Sequence, residues 1–453
     1  MALKMKTGGK VFFLVLILAI AGGGYYKYYT SHPHPTSSGN DQVTSSSGAT
    51  QQTAEVPQST SILKIAGSNT IGDVLAPALC KGWMESTGYS NVQILNTGKD
   101  EKAVVGTKNG KTDRVDISAH GTSTGFSSIS NGGASICMAS SKDNTGNYNE
   151  HVIGLDGIAV IVSNSSSINT LSMPDLQNTF SSGNSIYRMD DNSGTYKVFK
   201  EVAMAGREIN GNAKKFASGA ELATAISSDA NGVGFASYTF LSTSGIRAVP
   251  ISISPGMPGI IPNALTIQSE KYPLCRRLYM YTPKQADQTA GSFLNYVESA
   301  NGQAVVQNSG FINLTVNVNN NNDNPIGMPG DPPAYTNLIN TGKKITTEFR
   351  FEFGGTTLDS RALADVSRVI SFLSQSENRG KKLILVGFTD NVGDVNKNTA
   401  LSLTRANTVK SVLTARGADV KQVLGFGPLR PVRGNATPED QANNRRVEVW
   451  LTN

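Results

Sequence analysis

Gly387-Phe-Thr-Asp-Asn-Val-Gly393 is followed by Asn398, Leu401-Ser-Leu-Thr-Arg-Ala406, Gly425-Phe-Gly-Pro428 and Asn444-Arg-Arg-Val-Glu448. Leu383–Phe388, which runs into the first of these, reads as a buried strand, and Phe349-Arg-Phe-Glu-Phe353 alternates as a half-buried one. Arg361–Gln375 between them has helical spacing, and Leu401–Ala415 forms the next helix, with Leu401, Val409, Val412 and Leu413 as its apolar stripe. Asp390 and Asn391 fall in the loop that leaves the second strand. Arg405 lies four residues after Leu401 and four before Val409, which puts it on the inward face. An inward arginine needs an acidic or ligand partner, because an unpaired buried charge is very costly. A structural pair with Asp390 is one reading, and a ligand is the other.

Upstream of this block, Asn317 to Pro333 breaks the pattern with Asn319-Asn-Asn-Asn322, Asn324-Pro325 and Asp331-Pro-Pro333. It reads as an Asn/Pro-rich linker, residues 317–335, joining two globular blocks. The earlier block, residues 61–316, alternates short apolar strands (Ile62–Ala66, Val92–Leu95, Val115–Ser118, Gly157–Ser163, Gly232–Ala236) with helices (Ile71–Thr87, Tyr196–Ala205, Gly219–Ser228). That alternation predicts α/β architecture. Three turns precede or open helices there: Gly67-Ser-Asn-Thr70, Gly121-Thr-Ser-Thr-Gly-Phe126 and Ser193-Gly-Thr195. Each alone is an ordinary N-cap. Converging, they would offer unpaired amides and hydroxyls to a tetrahedral oxyanion.

The C-terminal motif set resembles the OmpA C-terminal-like, peptidoglycan-binding domain over residues 336–453. The resemblance implies that Asp390 and Arg405 clamp diaminopimelate of the stem peptide, Arg405 gripping the carboxylate and Asp390 the ammonium. Asn391, Asn398, Asn444 and Arg446 match further positions near the site or its support. Phe388 stands where that family usually has His, and Gln441 where it often has Arg.

The middle block carries, in order, Gly154-Leu-Asp-Gly-Ile-Ala-Val160, Leu176-Gln-Asn-Thr-Phe180, Asp191-Asn-Ser-Gly-Thr195, Gly232-Val-Gly-Phe-Ala-Ser237, Tyr272-Pro-Leu-Cys-Arg276 and Ser299-Ala-Asn-Gly-Gln303. This resembles the phosphate-type periplasmic solute-binding proteins. The resemblance implies two lobes joined by crossover strands, with an anion site of Ser68, Asn69, Thr70, Thr122, Ser123, Thr124, Ser135, Ser193, Gly194 and Thr195. Three charges that the family usually brings are missing. Ala134-Ser135-Ile136 stands for an Ala-Asp-Ile stretch, Met189 for an Arg, and Ser140-Ser141-Lys142 for a second Arg. Arg188 is one residue out of phase, on the other face of a strand. Ser135 in place of Asp removes the group that would repel a fully ionised anion. The block either binds a different small ligand, binds phosphate weakly, or persists as a scaffold.

The chain starts with Lys4, Lys6 and Lys10, then Val11-Phe-Phe-Leu-Val-Leu-Ile-Leu-Ala-Ile-Ala21, and Tyr25-Tyr26-Lys27. Residues 1–26 read as a cytoplasmic basic segment with a membrane anchor or signal peptide, and 27–60 as a flexible Ser/Thr-rich linker. Residues 61–316 carry 19 basic and 19 acidic side chains, whereas 336–453 carry 17 against 11, an excess suited to an anionic polymer. No DNA-reading motif accompanies it, so nucleic acid is not expected as a partner. Cys80, Cys137 and Cys275 lie far apart, and the four His have no metal-ligand spacing, so neither a metal nor a cofactor is expected. No Ser/His/Asp, Cys/His or paired-carboxylate constellation suggests an enzyme. The fold class expected is α/β, a two-lobed periplasmic-binding-protein fold followed by an α+β OmpA-like domain, with an N-terminal transmembrane helix. The function expected is an exported, inner-membrane-anchored peptidoglycan binder of the Gram-negative envelope. The alternatives are the phosphate or oxyanion-binding component of an ABC transporter, delivering to a permease, and a purely structural envelope scaffold.

Overall fold

In the computed structural model, residues 57–191, 193–319, 330–352, 355–432, 435 and 438–452 are described. The segment expected to anchor the chain, residues 1–26, lies outside them. Among the described residues no helix is long and apolar enough to cross a membrane.

The first lobe begins with Thr60–Gly67 (β1), Asn69–Asp73 (α1) and Leu75–Ser86 (α2). The single helix expected over Ile71–Thr87 is broken at Val74, whose φ of −125° departs from helical values. Pro77 is the physical reason: lacking an N–H, it is tolerated in the first turn of a new helix but not inside a continuous one. Ser90–Gly98 (β2), Glu101–Lys108 (β3), Lys111–Ser118 (β4), Thr122–Ser130 (α3) and Ile136–Ala139 (β5) follow. The long strand Tyr148–Ser163 (β6) then crosses to the second lobe. That lobe holds Leu171–Ser172 (β7), Met173–Ser182 (α4), Ile186–Met189 (β8), Gly194–Val202 (α5), Lys214–Phe216 (β9), Gly219–Ser227 (α6), Val233–Ser237 (β10), Ile246–Ala248 (β11), Ile251–Ser252 (β12) and Ala264–Gln268 (α7). Cys275–Pro283 (β13) returns, and Gln288–Glu298 (α8) and Ala300–Asn308 (α9) complete the first lobe.

One sheet runs through both lobes in the order β2-β3-β4-β1-β5-β13-β6-β10-β8-β9, with β11 added on β6. The first part of β6 pairs with β13 and the last part with β10 and β11, so β6 and β13 are the crossover strands. Leu63, Ile65, Trp83 and Phe293 anchor the first lobe's core, and Phe180, Phe199 and Phe235 form an aromatic cluster in the second.

The C-terminal part comprises Pro333–Thr341 (α10), Lys343–Arg350 (β14), Ser360–Ser374 (α11), Lys382–Gly387 (β15), Val395–Thr414 (α12), Val420–Gly425 (β16), Pro438–Asn444 (α13) and Arg446–Thr452 (β17). Its sheet has the order β14-β17-β15-β16, with only β15 and β16 parallel. Period-two alternation along β17 sends Val447, Val449 and Leu451 to a core shared with α11 and α12. Arg446, Glu448 and Trp450 face the other side, where Trp450 meets Tyr335 of α10.

The two halves form one compact unit rather than beads on a string. Asn317 and Val318, in the expected linker, pair with Thr346 and Ile345 of β14. Glu270, between α7 and β13, is the centre of the contact. Its carboxylate receives Arg277 of its own half and Arg350 and Arg361 of the C-terminal half, the last two at 2.8 and 2.6 Å. Arg277 also meets Asp359 at 2.8 Å, and Arg350 and Arg361 donate to the carbonyls of Ser269 and Gln268. Burial opposes ionisation of Glu270, yet Arg277, Arg361 and Arg350 hold its carboxyl well below the usual carboxylate range. A second buried group joins Lys271 to Glu348 (3.2 Å), and Lys344 to Glu348 and Glu448 (2.6 and 2.9 Å).

Candidate functional site

In the C-terminal part, β15 ends at Gly387 and the chain turns through Asp390 before Asp394 caps α12 by accepting from Lys397 N–H. Asn398 donates to the Val392 carbonyl at 2.9 Å and fastens this loop to the helix. Asn444, fully buried, accepts from Val432 N–H and donates to Asn435 Oδ1, which in turn accepts from Asn391 N–H. Both asparagines therefore shape the loops rather than extend into open space.

Arg405 is inward, as its helical phase requires, at 1% exposure. Its Nε donates to the Gly355 carbonyl at 3.0 Å and its guanidinium lies over the Phe351 ring. Nη1 finds no hydrogen-bond partner among the described residues. The structural pair with Asp390 does not form. Asp390 binds Arg445 instead, at 2.9 Å, and takes the Val392 N–H on its other oxygen. Burial first, then the charge of Arg445, pushes Arg405 down to about 10, with Asp390 acting in the opposite sense. Among the described residues, Arg405 and Arg445 thus stand beside one carboxylate, that of Asp390. Arg445 was missed in the sequence, although it is the middle residue of the Asn-Arg-Arg motif. Arg446 turns to the other face of the sheet, where it stacks on Phe388 and bonds Glu448 at 2.9 Å.

In the two-lobed part the three turns meet. Gly121 N–H donates to the Gly67 carbonyl at 2.8 Å, and a Cβ added at Gly194 would lie 3.7 Å from the Thr70 hydroxyl. Gly67 itself has φ +135°, and a Cβ there would strike the Met138 carbonyl, so only glycine lets β1 turn so close to β5. Several of the expected anion ligands are satisfied locally. Asn69 donates to the Ala119 carbonyl, Thr124 to that of His120, Thr122 accepts from Ser140 N–H, and Ser193 caps α5. Ser68 is buried and caps nothing with its side chain, and the first amides of α3, with Ser123, and of α5, with Thr195, have no intrahelical acceptor. Ser135 is not part of the group: its N–H pairs with the Lys64 carbonyl, four residues back along the strand from Ser68. Arg188 is occupied by Asp191 at 2.8 Å and stacks on Tyr196. The cation that does reach the turns is Arg276 on β13, whose Nη2 donates to Thr70 Oγ1 at 3.0 Å. Its signal in the sequence was its place in Tyr-Pro-Leu-Cys-Arg.

A PBP superfamily domain matches residues 43–301, and the OmpA family matches residues 350–445. The chain belongs to the PBP superfamily. It is a fusion, with the OmpA domain joined behind the PBP domain. Among relatives, the phosphate-binding protein PstS of Pseudomonas aeruginosa is 30% identical over 28% of this chain and 40% of its own length. Outer membrane porin F of the same species is 32% identical over 29% of this chain and 38% of its own. The peptidoglycan-binding protein ArfA of Mycobacterium bovis is 43% identical over 15% and 22%. The chain thus spans less than half the length of each. An ABC-type phosphate transport receptor of Vibrio cholerae aligns with 55% of this chain and 99% of its own at 16% identity, with a TM-score of 0.43. Among the described residues Cys80, Cys137 and Cys275 are buried and form no disulfide with one another, and no acidic, Cys and His cluster suited to a metal occurs.

Proposed function

We propose that this chain is an envelope protein that holds peptidoglycan non-covalently through its OmpA domain, while its PBP domain carries a small-oxyanion site with altered charges. The observation that carries the first part is Arg405: a cation buried to 1% exposure whose Nη1 has no hydrogen-bond partner among the described residues, the nearby Asp390 being bonded to Arg445 instead. A stem-peptide carboxylate supplies the partner that the fold withholds, and Asp390 retains lone pairs for the ammonium of diaminopimelate. Asn391, Asn398 and Asn444 act by setting the loops, and Arg446 by bracing β17. Residues 1–26 serve as the inner-membrane anchor, with the remainder in the periplasm, and residues 27–60 as a tether.

The three turns that meet at Gly67, Gly121 and Gly194 favour the second part. Their donors are neutral apart from Arg276, as suits a site that must bind an anion without the arginine usual at the position of Met189. The chain is then a receptor whose ligand site stands beside its wall-binding domain.

Co-sedimentation with purified sacculi tests the main reading. The full chain is expected to pellet with sacculi, and the Asp390→Ala and Arg405→Ala chains to remain in the supernatant. If both variants pellet as the parent does, the clamp is wrong.

A further inference from the structure

The PBP domain poses a charge problem, since three turns of neutral donors face each other and the expected basic residue is absent. Arg276 answers it from an unexpected direction. It lies on crossover strand β13, in register with Asp156 on the other crossover strand, β6. Its side chain is 9% exposed and reaches three ways. Nη2 donates to Thr70 Oγ1 of the first lobe at 3.0 Å, and Nη1 meets Glu201 Oε2 of the second lobe at 2.9 Å. Nε, buried and without a hydrogen-bond partner among the described residues, stands 3.7 Å from Asp156 Oδ2.

Glu201 belongs to α5, the helix whose first turn is Ser193-Gly194-Thr195, and its side chain is 55% exposed. A carboxylate from the second lobe therefore already sits on the guanidinium that also touches Thr70, beside the turns. We propose that Arg276 is the cationic arm of the anion site, and that Glu201 is a built-in competitor displaced by an incoming tetrahedral oxyanion. The proposal rests on the cradle being an anion site, as read above.

The exchange is physically cheap. Glu201 can return to water, and an ion pair open to solvent on one side is worth little. Arg276 loses nothing, because the oxyanion replaces one charge-assisted hydrogen bond with another. Asp156 stays in place and holds the arginine at the hinge. Burial raises its carboxyl above the ordinary range, and Arg276 opposes that shift. Because the same guanidinium contacts both lobes, exchange at Glu201 also alters what links them.

Calorimetric titration of the full chain with inorganic phosphate, and separately with sulfate, tests the idea. Glu201→Gln is expected to tighten binding about tenfold, since a neutral amide no longer competes. Arg276→Ala is expected to weaken it at least about 100-fold, with Arg276→Lys between the two, because lysine keeps the charge but loses the fork. A gain of affinity in Glu201→Gln cannot arise from damage to the fold, and sacculus co-sedimentation checks that the Arg276 variants remain folded. Parent and Glu201→Gln binding an anion equally well overturns the competitor while leaving the anion site standing. Arg276→Ala binding as tightly as the parent, in a folded chain, overturns the cationic arm. No heat with either anion in both parent and Glu201→Gln removes the site and the proposal together.

Discussion

In the role proposed for it, Arg405 is poor for stability and good for binding. An arginine paired with a carboxylate inside a protein is missed when removed, whereas one with an orphaned Nη1 is not. Arg405→Ala should therefore leave the thermal midpoint unchanged or higher, while weakening stem-peptide binding by about 2–3 kcal/mol, roughly 100-fold. Differential scanning calorimetry beside a peptide titration separates the two effects. Its acidity adds a second expectation. Only the protonated guanidinium binds a carboxylate, and burial together with Arg445 brings Arg405 down to about 10. Stem-peptide affinity should hold from pH 7 to 9 and fall as pH rises through about 10, where an ordinary arginine would keep its charge. A flat profile to pH 11 would show that another group supplies the cation.

At the scale of elements, the proposed wall-binding site depends on how closely α12 lies on its sheet. A Cβ at Gly387 would come within 2.0 Å of the Ser402 carbonyl, and one at Gly425 within 2.5 Å of Leu403 N. These glycines let the helix touch the backbones of β15 and β16, three and two residues before Arg405. Gly387→Ala must push α12 outward, costing about 1–3 kcal/mol by overpacking. Urea denaturation should show that loss, and co-sedimentation should weaken although no binding residue has changed. The break between α1 and α2 is the counterpart in the PBP domain: Pro77 ends one helix early and leaves Thr70 on a separate short segment facing Arg276.

Across the whole molecule, the buried charges around Glu270 turn two domains into one body. Removing one member of such a group leaves uncompensated charge, a loss of about 3–5 kcal/mol. Glu270→Ala should split a single thermal transition into two, which calorimetry reads directly. The pH dependence follows from the same groups. Glu270 is held well below the usual carboxylate range, and Glu348 lies at about 2, where burial is outweighed by Lys271, Lys344 and Arg446. Carboxyls depressed by folding contribute their full stability above the unfolded value of about 4.5 and lose it as pH falls through the folded value. The chain should thus keep its midpoint down to about pH 5 and lose stability steadily between pH 4.5 and 2. The Glu270→Ala chain should show a shallower acid loss.

The order of domains, the inward phase of Arg405 and the loop position of Asp390 were legible in the sequence because they are local. Helical and strand periods act over a few residues, and turn chemistry acts at a single position. The same locality explains the errors. Ile71–Thr87 read as one helix because its apolar period outweighed Pro77, and Ser135 was grouped with Ser68 although strand register places them apart. Only the tertiary structure decided that Asp390 pairs with Arg445, 55 residues away, that Arg276 reaches Thr70 across 206 residues, and that Arg361 meets Glu270 across 91. A charged side chain announces that it needs a partner, but which partner is chosen depends on strand order and domain docking. Those are set by the burial of whole apolar faces, a property that no short stretch of the chain contains.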